Sequence, residues 1–275
     1  MQGKTVVITG ATSGIGEVAA IRLSEMGARI VAVARDKSRA DATLKKLKGA
    51  RHTVHIADLS RLSEMKRVAG EIAAAEPVID VLMNNAGALF NSRQVTEDGL
   101  EKTFAMNHMA YFVVTNLLLG NLKPGARIVS TASDAHKGAK LNFDDLQSAK
   151  NYSGFGVYGK SKLANILFNR ELARRIEGTG VTANCLHPGF VATRFGDQSG
   201  GIVSVAVRVV KPIGAISPEK GAQTMIYLAS SPEVANVSGE YFYKCKLATP
   251  TAEAQDDASA KRLWDASVKL SGIGA

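Results

Sequence analysis

The sequence predicts an α/β protein: a doubly wound parallel β-sheet of about seven strands with helices on both faces. Three observations carry that expectation. Short apolar runs recur along the whole chain, longer segments of helical period separate them, and no repeat, low-complexity tract or linker breaks the alternation. The 275 residues suffice for one large domain with a substantial core, so a single domain is expected over residues 1–275.

The apolar runs, in order, are Thr5–Ile8, Arg29–Val33, Thr53–Ile56, Val78–Met83, Arg127–Val129, Val181–Leu186 and Glu240–Tyr243. Each is short and nearly continuous, as a strand buried on both faces requires. Between them lie the helical segments Gly14–Met26, Lys37–Lys48, Ser60–Ala75, Glu97–Leu122, Tyr158–Ile176 and Glu219–Ala229. Two connections depart from this rhythm. Residues 134–157 form a long polar, aromatic-dotted insert ahead of Tyr158, and residues 194–218 carry the apolar stretch GGIVSVAVRVVKPIGAIS with isolated Arg208 and Lys211. Long loops on an α/β scaffold are more often functional than accidental.

Composition narrows the function classes. Apolar residues make up 45% and charged residues 21%, ordinary for a soluble globular protein. The formal charge is +9, but the basic residues are scattered and the run Lys45-Lys46-Leu47-Lys48 reads as an outer helix face. Nucleic-acid binding needs a clustered basic face with a docking element, so it is not expected. No apolar stretch approaches the roughly 18–20 residues of a membrane span, so no transmembrane segment is expected. Cys185 and Cys245 lack C-x-x-C spacing and read as reduced packing residues of a cytoplasmic protein. Five scattered histidines, His187 among them, argue against a metal site.

The most informative stretch is VVITGATSGIGEVAA. It begins as a strand, turns through Gly10, Gly14 and Gly16, and continues as a helix. Glycines there allow a tight turn, close backbone approach to a pyrophosphate, and close packing of helix on strand. The helix N-terminus offers unpaired N–H groups and a positive dipole end to phosphates. A Rossmann-type dinucleotide site is therefore expected, with Thr12, Ser13 and Ile15 in the same loop. At the second strand's tip, Ala34 is followed by Arg35 and then Asp36. An acid at the tip would accept from a ribose 2′-hydroxyl, whereas an arginine pairs with a 2′-phosphate. In this register Arg35 covers the phosphate and the cofactor is NADP(H); a shift of one residue would reverse the reading.

The spacing T-G-x-x-x-G-I-G resembles that of the short-chain dehydrogenase/reductase family, and the likeness continues along the chain. Asp58-Leu59 matches the family position that holds the adenine amino group, with a helix N-cap as the competing reading of Asp58. Asn84-Asn85-Ala86-Gly87 resembles the family's N-N-A-G motif beside the cofactor. Asn107, a poor helix former inside MNHMAYF, matches the asparagine that kinks a helix and holds a relay water. The resemblance implies that Ser133, closing Ser130-Thr131-Ala132-Ser133, bonds the substrate oxygen, with Ser130 and Thr131 as fallbacks if the register slips. Pro188-Gly189-Phe190-Val191-Ala192-Thr193 resembles the segment that passes the nicotinamide carboxamide, with Val191 and Thr193 as contacts.

Tyr158 and Lys162 complete the pattern. Four residues apart on a helix, they share a face; Lys160 does not. Hydride transfer at a carbonyl or alcohol carbon develops charge on the oxygen, and a positioned acid or base must handle its proton. A free tyrosine, with pKa near 10, is a poor base at neutral pH. A lysine ammonium one turn away, together with the positive nicotinamide ring, favours the phenolate and lowers that pKa, which gives Lys162 a role beside cofactor ribose contact.

The segments LNFDDLQSAKNYSGFGVYGKSKLANILFNRELARRI, VTANCLHPGFVATRF and GEYFYKCKLATPTAEAQDDASAKRLWDAS resemble the retinol dehydrogenase and related carbonyl reductase branch. That branch shares the insert before the tyrosine. The resemblance implies a lipophilic alcohol or aldehyde substrate, a substrate lid at 194–218, and subunit pairing into a homodimer or homotetramer through the Glu97–Leu122 and Tyr158–Ile176 helices. Vertebrate members usually carry an N-terminal membrane anchor, and this sequence starts at the first strand. Two other classes stay open: a non-enzymatic NADP(H)-binding sensor on the same fold, and a nucleotide-sugar epimerase or dehydratase.

Overall fold

The computed structural model describes residues 1–191 and 216–273. Thr193 and residues 194–215 of the expected lid lie outside the described residues. Eight strands form one sheet in the order β3-β2-β1-β4-β5-β6-β7-β8. They are β1 (Thr5–Thr9), β2 (Arg29–Ala34), β3 (Thr53–Ile56), β4 (Ile79–Asn84), β5 (Leu122–Thr131), β6 (Thr182–Leu186), β7 (Tyr241–Tyr243) and β8 (Lys246–Leu247). All pairings are parallel except β7 with β8, which adds one short antiparallel strand to the seven expected.

Strand order reverses between β1 and β4. One winding runs outward through β2 and β3, the other through β5, β6 and β7. In such sheets the crevice at the carboxyl ends beside the reversal receives ligands. The register brings those ends level: Ile8 pairs with Met83, Asn84 with Ser130, Thr131 with Leu186, and Leu186 with Phe242. Loops carrying the expected site residues therefore leave one edge.

Helices α1 (Gly14–Glu25), α2 (Lys37–Leu44) and α3 (Leu62–Ala75) follow the first three strands. Alternate strand residues face opposite layers, as a strand's period of two dictates. Val6, Ile8, Ile30, Ala32 and Met83 join one buried cluster, while Val7, Val31, Val33, Leu82 and Ile128 join the other. Each fully buried valine, isoleucine, leucine or methionine among them contributes roughly 1.5–3 kcal/mol.

The segment expected as one helix over Glu97–Leu122 is composite. It holds α4 (Lys102–Phe104), a π-helical turn (Ala105–Met109) and α5 (Ala110–Leu118), and β5 already begins at Leu122. Glu101 caps α4, accepting from Thr103 N at 2.9 Å and Phe104 N at 2.7 Å. The tyrosine-bearing helix α6 spans Gly154–Arg175, so the last four residues of the 134–157 insert form its first turn. Then α7 (Pro218–Ser230) packs on α1's side of the sheet.

A final helix, α8 (Asp257–Ser271), is absent from the sequence expectation. Asp256 caps its start, Gly272 ends it in a left-handed conformation (φ 63°), and Leu263 and Trp264 are buried. The Trp264 ring stacks on Phe168 of α6 at 5.8 Å and meets Phe112 of α5 edge-on at 5.0 Å. Part of the α5–α6 surface that the resemblance assigned to subunit pairing is thus covered by the chain itself. No helix among the described residues is long and apolar enough to cross a membrane.

Candidate active site

The loops after β1 and β4 are bolted together. Thr9 Oγ1 accepts from Asn85 N at 2.9 Å and Ala86 N at 3.0 Å, while Asn85 Nδ2 donates to the carbonyls of Thr9 (3.0 Å) and Gly10 (3.2 Å). Gly10 is left-handed (φ 72°), and a Cβ there would sit 2.9 Å from Ala86 Cα. A Cβ on Gly16 would collide with Asn85 Nδ2 and the Gly10 carbonyl. Ser13 stands at the N-cap of α1 but makes no side-chain capping bond. The N–H groups of the first helical turn are thus not taken by that side chain, and the glycines leave backbone open beside them. A phosphate fits this cradle. Ile15 and Val191 converge on Gly221 of α7, where a Cβ would approach them to 2.8 and 2.6 Å.

β2 ends at Ala34, so Arg35 is the first residue past the tip, and it is exposed. Asp36 caps α2, accepting from Arg39 N at 2.9 Å. Asp58 accepts from Ser60 N (3.0 Å) and Ser60 Oγ (2.8 Å), closing a turn ahead of α3. The N-cap of α3 is Arg61, so the competing reading of Asp58 as the cap residue does not hold. Leu59 is buried behind it.

On the far side of the β1–β4 junction, Ser133 follows the end of β5. Ala135 N donates to its Oγ at 3.2 Å, which leaves the serine proton free to donate. The Ser133 side chain acts on the Tyr158 phenol, favouring its ionised form. Of the fallback residues, Ser130 is fully buried, its hydroxyl 3.5 Å from Asn84 Nδ2. Lys162 Nζ donates to the Thr131 carbonyl at 3.0 Å and lies 5.6 Å from the Tyr158 ring centroid. Asn107 sits in the π-turn; its side chain accepts from Ala88 N (2.8 Å) and donates to Ala88 O (2.9 Å) and Ser161 Oγ (2.9 Å). π-turns inside helices frequently mark functional sites. A Cβ on Gly87 would stand 3.2 Å from Asn107 Oδ1 and 3.4 Å from Lys162 Nζ, so that glycine opens the space above the lysine. Pro188 and Gly189 follow β6; Gly189 is left-handed (φ 86°) beside the Tyr243 ring.

The expectation is that the lysine and a bound nicotinamide ring together lower the tyrosine pKa. Among the chain's own groups, burial dominates and pushes Tyr158 up to about 12, against an opposing effect of the Ser133 side chain. Burial also lowers Lys162 to about 7, because a desolvated ammonium is disfavoured. At neutral pH the pair is a protonated phenol beside a lysine poised between its two forms.

Residues not anticipated from sequence complete the site. Ser161 donates to the Tyr158 carbonyl at 2.7 Å while accepting from Asn107, which links the π-turn to α6. Gly159 lets α6 lie on the turn after Ser133: a Cβ there would meet the Ala135 carbonyl at 2.6 Å. A glycine inside a helix beside a key tyrosine was the available signal. His136 Nδ1 reaches the Ser133 carbonyl at 2.7 Å, and His187, lowered by burial to about 4, bonds the Tyr241 hydroxyl at 2.7 Å.

This fold and this arrangement define a class. A family model described as short chain dehydrogenase matches residues 4–200, and the chain belongs to the short-chain dehydrogenase/reductase family of oxidoreductases. Within it, the chain is similar to retinol dehydrogenase 14 of Homo sapiens, 42% identical and covering 99% of this chain and 88% of the relative. Among solved structures, an uncharacterized protein from Mycobacterium Paratuberculosis is 31% identical with a TM-score of 0.81, covering 98% of this chain and 94% of that one. A short chain dehydrogenase from Burkholderia cenocepacia J2315, solved in complex with NADP, is 27% identical with a TM-score of 0.71, covering 88% and 96%.

Proposed function

We propose that the protein is an NADP(H)-dependent oxidoreductase that interconverts an alcohol and an aldehyde or ketone, with Tyr158 as acid/base, on a lipophilic small molecule. The observation that carries this reading is the buried Tyr158, one helical turn from buried Lys162, whose ammonium lies 5.6 Å from the tyrosine ring centroid, with Ser133 acting on the same phenol. The glycine cradle of Gly10, Gly14 and Gly16, with Thr12, Ser13 and Ile15, would hold the pyrophosphate. Arg35 would pair with the 2′-phosphate and Asp58-Leu59 would meet the adenine. Asn85, Ala86, Gly87, Pro188, Gly189, Val191 and Thr193 would flank the nicotinamide half. When bound, NADP(H) supplies or accepts the hydride.

In reduction, Tyr158 gives its proton to the substrate oxygen as negative charge develops there, and Ser133 donates a second hydrogen bond to the same oxygen. In oxidation, Tyr158 takes the proton back, and a charged Lys162 favours its phenolate. Asn107 holds the β4 loop and, through Ser161, the first turns of α6 in register. NADP is supported by the Burkholderia relative's bound cofactor and by Arg35 standing first past β2. A lipophilic substrate is supported by the likeness to retinol dehydrogenase 14 and by exposed Phe155 and Phe190 on segments flanking the site.

The test is NADPH oxidation against aldehydes and ketones of graded size and polarity, with NADH in parallel and Tyr158→Phe as the paired control. Expected is turnover with apolar carbonyls, preferring NADPH and lost in the variant. Cofactor binding without turnover on any carbonyl would instead establish the sensor.

A further inference from the structure

One carbonyl oxygen beside the site carries more donors than it can saturate. Thr131 O, at the tip of β5, accepts from Lys162 Nζ at 3.0 Å, Asn165 Nδ2 at 3.3 Å and the Tyr111 hydroxyl at 3.4 Å. A carbonyl oxygen has two lone pairs, so three donors share it. The same ammonium lies 5.6 Å from the centroid of the Tyr111 ring, matching its distance from the Tyr158 ring. All four residues are buried.

We infer that Tyr111 is the positioning residue for Lys162: its ring attracts the ammonium and its hydroxyl, with Asn165, anchors the carbonyl that the ammonium bonds. The inference rests on the role given to Lys162 above. A cation within about 6 Å of an aromatic face is held by the ring quadrupole, more strongly where water is excluded. Among the described residues, the contacts that hold this desolvated ammonium are a carbonyl and two rings, and one of those rings belongs to Tyr158, whose charge changes in the reaction. Tyr111 supplies the constant one. Burial pushes its own ionisation upward, so it stays a neutral donor across the working range. Asn165 and Tyr111 also donate to Thr131 O, so this buried carbonyl has partners besides the ammonium.

The test separates ring from hydroxyl. Tyr111→Phe keeps the ring; Tyr111→Leu removes it; a trifluorinated phenylalanine at position 111 keeps the shape but strips the negative face, and serves if the leucine variant fails to fold. The first readout is the Lys162 midpoint from lysine 13Cε NMR titration of the protein without nucleotide, its resonance identified by its loss in Lys162→Met. The midpoint should fall by about half a pH unit in the leucine and fluorinated variants and hold in Tyr111→Phe. The second readout is the pH profile of alcohol oxidation, whose acid limb should move to higher pH by a similar amount in the same two variants. Equal midpoints across all variants, or an unmoved acid limb, would overturn the inference. Activity retained in Tyr158→Phe or Lys162→Met would instead sink the proposed mechanism, while the nucleotide-free titration still decides the Tyr111–Lys162 contact.

Discussion

The two halves of the cleft are built from different materials. Around β1 and β2 the work is done by backbone: left-handed Gly10, uncapped N–H groups at α1, and an exposed arginine past a strand tip. Around β5 and α6 it is done by buried side chains whose ionisation is moved, Tyr158 up to about 12 and Lys162 down to about 7. The first half needs space and dipoles, which glycine provides at fixed chain positions. The second needs a desolvated pocket, which residues distant along the chain must build together.

If this contrast is right, the catalytic half should fail through chemistry and the nucleotide half through affinity. The largest effect is expected from Tyr158→Phe: kcat should drop about 10²–10⁴-fold with NADPH affinity and Tm unchanged, measured by turnover, fluorescence titration and melting. Lys162 should show in the pH dependence of stability. Its pKa is about 7 in the folded protein against an ordinary 10.5, so between those values the unfolded chain binds the extra proton. Stability due to this group therefore rises with pH across that window. Denaturant midpoints of Lys162→Met should lack the rise that the unmodified protein shows; parallel curves would mean the amine is not desolvated.

Arg35→Ala should shrink the NADPH-over-NADH preference by about 10–100-fold, the worth of a hydrogen bond to a charged group, with no loss of kcat on saturating NADPH. Equal affinities for both nucleotides before the change would refute the assigned register. Gly159→Ala tests the junction between halves: its Cβ would press on the Ala135 carbonyl, at a cost of about 1–3 kcal/mol in urea unfolding, and turnover should fall as Tyr158 shifts from Ser133. The smallest effect is expected from Asp36→Ala, which removes the α2 cap, lowers stability by about 1 kcal/mol and leaves cofactor preference intact.

Legibility in the sequence follows the same division. The strand positions and the glycine loop could be read because apolar runs and glycines act locally, and β2 ends at Ala34 as the Arg35 register requires. The helix over 97–122 could not be read correctly. Its apolar period runs on smoothly, and the π-turn that carries Asn107 shows in the sequence as no more than one poor helix former. The tail helix is hard to read although Ala260, Leu263, Trp264 and Ser267 repeat at helical spacing, since those few positions sit among charged residues. Gly159 and Ser161 lay between Tyr158 and Lys162, but what they touch belongs to other elements.

By itself the sequence determined the alternation of strands and helices that builds the sheet, the reversal implied by a doubly wound sheet, and the spacing that puts Tyr158 and Lys162 on one helical face. Those are consequences of period and of glycine's freedom, properties of neighbouring residues. The tertiary structure alone decided which proton sits where. The Thr131 carbonyl gathers Lys162 and Asn165 from α6 and Tyr111 from α5, and the burial of that junction moves the ionisation of both site residues. Desolvation sums over everything packed around a group, and no local pattern along the chain records that sum.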